Sequence, residues 1–168
     1  MLLGLIAGND TGIQGIMVYI LVYAFMNLGA FTVVIAMRRK GIIGEDLDDM
    51  AGLMYKSPGY AVLMLVFLLS LAGIPPTAGF LGKYYIFLSL IQTHHYVLAV
   101  IATLYVAVAL YYYFRIVKIM FVGELAEKTA PATSFGLRLA LGITGLLTLA
   151  IGIYPEPILR MTQGSILK

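Results

Sequence analysis

One ionisable side chain stands deep inside an apolar stretch. Lys83 lies in SLAGIPPTAGFLGKYYIF, residues 70–87. Its neighbours at helical spacing, Gly79, Ile86, Phe87 and Leu90, are all apolar. No Asp or Glu stands three or four residues away, so a charge partner must come from another helix or another chain. A charge near the centre of a bilayer costs about 2.5–3.5 kcal/mol on insertion scales. Burial also makes an ammonium easier to deprotonate, so a lysine in such a place can release and regain a proton. The chemistry implied is a proton relay or a cation site. The structural alternative is a snorkelling lysine, which suits helix ends better than position 83.

The residues before Lys83 break a helix. Pro75 and Pro76 supply no backbone N–H and clash with the preceding turn. Gly73, Gly79 and Gly82 loosen the backbone and allow close approach. At membrane depth such a break is tolerated only inside protein or along a water-filled cavity. Broken helices build ion sites in transporters. The helix breakers and the lysine therefore read as one device.

Weaker candidates surround it. His94 lies 11 residues beyond Lys83. If the helix continued, that is three turns on nearly the same face, about 16 Å along the axis. His94 then marks an aqueous exit, or it is an ordinary interfacial histidine beside His95. Asn27 and Thr32, in a stretch with Gly29 and Ala30, serve interhelical packing or line a pathway. Tyr105 could face and hydrate a polar interior. Tyr111 to Tyr113 with Arg115 and Lys118 read as an aromatic and basic anchor at a membrane interface.

Other chemistry is disfavoured. Glu45, Asp46, Asp48 and Asp49 match no standard metal loop and read as a solvated loop or docking surface. The chain has no cysteine, hence no disulfide or thiolate site. AGFLGK is followed by tyrosine and preceded by no strand, so it is not a phosphate loop. No cofactor and no metal is expected in this chain, and nucleic acid is not an expected partner.

The elements that position Lys83 must be membrane helices. The chain is 61% hydrophobic and 11% charged, against about 25% charged in soluble domains. The reading is all-α, a polytopic membrane helix bundle with about four crossings, one of them discontinuous, in a single membrane domain over 1–168. The crossings fall at about 16–37, 58–92 (broken near 73–77), 97–121 and 136–154. Each half of the second is 15 residues, about 22 Å, short of the roughly 30 Å hydrocarbon core. One broken crossing and a re-entrant pair are the two options, and charge decides. With a single crossing, Arg38, Arg39, Lys40, Lys56, Arg115, Lys118, Lys128 and Arg138 share one side, and only Arg160 and Lys168 lie on the other. Lysine and arginine excess marks the cytoplasmic side, so both chain ends are expected opposite it.

SLAGIPPTAGFLGKYYIF, preceded by YAFMNLGAFTVVIA and followed by LYYYFRIVKIMF and IGIYPEPIL, resembles the C-terminal third of subunit N of NADH–quinone oxidoreductase, respiratory complex I. That subunit belongs to an antiporter-like, proton-translocating membrane family. GIPPTAGFLGK is similar also to multisubunit sodium/proton antiporters, and YYYFRIV favours subunit N. The resemblance implies a membrane subunit with no redox centre and a lysine on its discontinuous helix. That role carries over to Lys83. It implies other complex I membrane subunits and the lipid bilayer as partners, and a bacterial inner membrane location. The family subunit is roughly three times longer, and Met1 falls where a preceding helix is expected. The missing N-terminal part is expected as a separate chain or absent. The alternatives are an antiporter subunit and a non-conducting truncated scaffold.

Overall fold

The computed structural model describes residues 1–38, 47–123 and 135–166. Arg39, Lys40, Glu45, Asp46, Lys128 and Lys168 lie outside them. Among the described residues the chain is helical without strands: α1 Leu2–Ala7, α2 Asp10–Arg38, a 3-10 turn Leu47–Met50, α3 Leu53–Lys56, α4 Pro58–Ala72, α5 Ala78–Gln92, α6 Tyr96–Val122, α7 Phe135–Ile153 and α8 Glu156–Ile166. Asp10–Met37, Tyr96–Val122 and Gly136–Ile153 are each long and apolar enough to cross a membrane. The architecture is the all-helical bundle that the composition implies.

α4 and α5 are separate 15-residue helices. Their relation to α2 fixes how they are stacked. Gly15 of α2 sits against the backbone of Ile86, Gly82 sits against Tyr19, and Gly29 faces the ring of Phe67. Moving along α2 from residue 15 to 29, about 21 Å of helix, the partner changes from α5 back to α4. So α4 and α5 run in the same direction, end to end along one antiparallel helix. A re-entrant pair would bring Phe67 and Ile86 to the same level of α2. The absent side chains of Gly29 and Gly82 are what let α2 come this close; a Cβ at Gly82 would lie 2.8 Å from Tyr19 Cα. The buried core runs along the same seam, through Val22, Met26, Val33, Phe67 and Leu68.

The remaining helices close round this pair. α7 runs alongside α4, with Gly145 against Leu63 and Gly152 against the backbone of Pro76 and Thr77. The Gly52 N–H donates to Ile119 O at 3.3 Å, which pins the C-terminal end of α6 beside α3. α8 packs on the start of α2, where Gln14 Nε2 donates to Leu159 O and to Thr162 Oγ1, each at 3.4 Å. The bundle is thus up-and-down. The end holding α3 and the N-termini of α4 and α7 carries Lys56, Arg115, Lys118 and Arg138. Arg160 lies at the opposite end, paired with Glu156 at 3.3 Å.

Candidate functional site

The site begins with a deficit that covalent structure makes. An α-helix leaves its last four carbonyls without intrahelical donors. In α4 these belong to Leu69, Ser70, Leu71 and Ala72. Gly73 turns left-handed at φ +86°, and its N–H reaches Leu69 O and Ser70 O at 3.0 Å each. Ile74 N–H adds a third bond to Leu69 O at 3.0 Å. The next two donors in helical register would be residue 75 for Leu71 O and residue 76 for Ala72 O. Both are proline and carry no N–H.

Lys83 supplies what the prolines lack. Its Nζ donates to Leu71 O at 2.8 Å and to Ala72 O at 2.8 Å. All four terminal carbonyls of α4 are thereby satisfied, as buried backbone requires. The ammonium also stands at the negative end of the α4 dipole, where a cation is favoured. Among the described residues its hydrogen-bond partners are the backbone carbonyls of α4.

Glycine makes room for this reach. A Cβ at Gly73 would lie 2.8 Å from Lys83 Cδ and 3.1 Å from Nζ, so the lysine stem occupies the space a side chain would take. Gly79 brings α5 into backbone contact with Ser70 O. There the debt is returned: Ser70 Oγ accepts from the Gly79 N–H at 3.0 Å, filling an orphan donor in the first turn of α5. Ser70 is wholly buried. Each half of the broken helix caps the other, one through Lys83 and one through Ser70. Thr77 closes the bend, its Oγ1 donating to Ile74 O at 2.6 Å.

Lys83 also opens onto a cavity of about 310 Å³, lined by Tyr19, Ile86, Phe87, Ala102 and Tyr105 among others. An ammonium has three donors. Two hold the carbonyls, and one is left for the cavity. A neutral amine keeps two N–H bonds, enough for both carbonyls, and gains a lone pair. The arrangement can therefore lose and regain a third proton without dismantling the caps.

The other expected residues distribute unevenly. Tyr105 lines the Lys83 cavity, although its side chain is 74% exposed. Asn27 is half-buried on α2, about two turns from the cavity residue Tyr19, and is not brought to Lys83. Thr32 donates back to Leu28 O within its own helix at 2.5 Å, so its hydroxyl is not spent on another helix. His94 is not on the Lys83 face, because α5 ends at Gln92. His94 N–H donates to Ile91 O and His95 N–H to Leu90 O, while His94 itself turns left-handed at φ +60°. That is a Schellman C-cap with histidine in the place glycine usually takes. Its ring is exposed and lies 2.8 Å from Tyr96 Oη. Sequence reasoning missed Tyr19 and Ser70. Tyr19 gave no signal. Ser70 did, as the one hydroxyl in PGYAVLMLVFLLSLA apart from Tyr60.

Comparison with known proteins bears on this geometry. Residues 1–110 match the family described as NADH:quinone oxidoreductase/Mrp antiporter, TM. NADH-quinone oxidoreductase subunit N 2 of Solibacter usitatus (strain Ellin6076) is 74% identical over all of this chain and 34% of its own length. Subunit N of Paramagnetospirillum magneticum is 40% identical over 98% of this chain and 34% of its own length. The chain spans about a third of the length of the curated relatives it matches. Among solved structures, respiratory complex I from Thermus thermophilus with bound aureothin aligns at a TM-score of 0.75 and 32% identity, over 90% of this chain and 35% of that one. The Mrp complex from Dietzia sp. DQ12-45-1b aligns at a TM-score of 0.78 over 92% of this chain and 37% of that one. At 19% identity this second likeness is one of fold.

Proposed function

The chain belongs to the NADH:quinone oxidoreductase/Mrp antiporter membrane family, and on that premise we propose that it serves proton translocation in a bacterial NADH–quinone oxidoreductase, with Lys83 as the proton relay. The observation that carries this reading is the pair of 2.8 Å bonds from Lys83 Nζ to the carbonyls that Pro75 and Pro76 leave without donors. They hold the lysine at the break and leave its third proton to the cavity. Names of the relatives support complex I over an antiporter assembly, since subunit N recurs at 74% and 40% identity.

The basic end of the bundle, with Lys56, Arg115, Lys118 and Arg138, faces the cytoplasm. Lys83 then lies near the middle of the membrane, where the break is admissible because α2 and α7 cover it. Electron transfer takes place in other subunits, and the remaining part of a subunit N is supplied with this chain in the assembly. Tyr19 and Tyr105 hydrate the relay.

The test is NADH-driven, quinone-dependent proton movement in vesicles carrying the assembly that contains this chain. Lys83→Met should remove most of the proton movement attributable to this site, and sodium should not substitute for protons. Unchanged proton movement in that variant would support the scaffold reading. Sodium-dependent flux without NADH oxidation would support the antiporter.

A further inference from the structure

We propose that Leu71 O and Ala72 O, at the end of α4, form a monovalent-cation site whose occupant is built in as the Lys83 ammonium, and that this side chain bars sodium from the site. The site itself stands on its geometry. Its part in choosing protons over sodium rests on the proton-relay reading.

A single nitrogen lies 2.8 Å from both oxygens, so the two carbonyls converge on one point. That point stands off the negative end of the α4 dipole. Converging backbone carbonyls are how channel filters and the interrupted helices of transporters hold a bare monovalent cation. Such a point does not occur inside a regular helix, where each oxygen accepts an N–H from four residues on. Here Pro75 and Pro76 withhold that N–H. The preceding carbonyls supply the contrast. Leu69 O accepts from the Gly73 and Ile74 N–H groups, and Ser70 O from Gly73. Ile74 O, beyond the helix end, accepts from the Thr77 hydroxyl and the Thr77 N–H. The pair at Leu71 and Ala72 is thus set apart from its neighbours: its partner is a cation.

The lysine stem fills the approach to this point. It passes Gly73, where an added Cβ would lie 2.8 Å from Lys83 Cδ and 3.3 Å from Cε. With the stem in place, sodium meets both oxygens already taken. With the side chain cut back to Cβ, the atoms removed are those of n-propylammonium, and their space opens on the cavity of about 310 Å³ that Lys83 lines. Water in that cavity supplies the further oxygen ligands that a bare cation needs and an ammonium does not. The preference for protons over sodium then belongs to one side chain and not to the shape of the cavity.

The experiment measures the melting temperature of the detergent-extracted assembly containing this chain. Ionic strength is held constant while choline chloride is replaced by sodium, potassium or n-propylammonium chloride. The parent should not respond, because its site is filled. Lys83→Ala should melt lower in choline, and each of the three cations should recover about half of that loss at saturation, rising with the logarithm of its concentration. Adding Pro75→Ala and Pro76→Ala to Lys83→Ala gives both carbonyls an N–H, and this triple variant should ignore all three cations. If Lys83→Ala unfolds in choline, the yield extracted in sodium against choline reads the same response, and equal yields would overturn the proposal. So would a Lys83→Ala melting temperature that no cation moves. Recovery by n-propylammonium alone would also overturn it, since that defines an amine slot and not a cation site. A sodium response in the parent, or one that persists in the triple variant, would place the effect elsewhere and overturn it too. The relay reading is judged separately, by protons moved per NADH in Lys83→Met. A loss there with no cation response here would remove the cation site and leave the relay standing.

Discussion

The broken helix and α6 solve the same problem in opposite ways. α6 is 27 residues without a proline or glycine, and Met120 is its one buried residue. It satisfies its own backbone, so its apolar side chains can face outward: Val97, Leu104, Val108 and Phe114 are all exposed. α4 and α5 together span a comparable length but cannot be left exposed, because Leu71 O and Ala72 O have no backbone donor. They are set between α2 and α7, with Phe67, Ser70, Ala78 and Leu90 buried. A continuous helix needs no neighbours for its backbone. A broken one must be enclosed and must find a polar group to finish it. The side chain that finishes this one is titratable, and the proposed relay uses that difference.

The contrast is open to direct attack, and the largest expected effect is on packing at the joint. Gly79→Ala puts a methyl into the Ser70 carbonyl, and backbone cannot yield as a side chain does. A loss of about 3 kcal/mol, the upper range for overpacking, should appear as a lower melting temperature of the detergent-extracted assembly. Lys83→Met comes next. It strands two carbonyls, at about 1–3 kcal/mol each, but also relieves the burial of a charge, for a net cost of about 2 kcal/mol. Installing Pro75→Ala and Pro76→Ala with it returns N–H donors to Leu71 O and Ala72 O, and should recover most of that stability without recovering proton transfer. Ser70→Ala strands the Gly79 N–H and should cost about 1 kcal/mol. Leu104→Ala on α6 should change the melting point by the equivalent of at most about 0.5 kcal/mol. If Leu104→Ala proved as costly as Ser70→Ala, the contrast between enclosed and exposed helices would fail.

Much of this was legible beforehand, for identifiable reasons. Pro75 and Pro76 announce the break because the missing N–H is a covalent fact, and the observed gap between Ala72 and Ala78 falls there. The identity of the two stranded carbonyls follows from the same arithmetic, four residues back. What fills them does not. Lys83 reaches Leu71 and Ala72 only because Gly79 lets α5 overlap the end of α4, a tertiary contact with no local signature. A side-chain counter-ion was the natural expectation for a buried lysine, and backbone carbonyls took that place. His94 misled because helical phase was extended past Gln92. Histidine is among the few residues that tolerate the left-handed turn a Schellman cap needs, and it ended the helix there. α8 was not foreseen either, since its mixed polar sequence EPILRMTQGSI carries no crossing signal.

In the proposed relay, the proton that Lys83 handles is separate from the two hydrogens that hold the break. Lys83→Arg tests it most directly. Arginine keeps several donors for Leu71 O and Ala72 O but does not deprotonate in proteins. The measurement is protons moved per NADH oxidised in sealed vesicles carrying the assembly, with the melting temperature recorded on the same preparation. Near-normal melting with a clear fall in protons per NADH is expected. Full proton yield from an arginine at position 83 would contradict it, and Lys83 would then be a structural cap and not a relay.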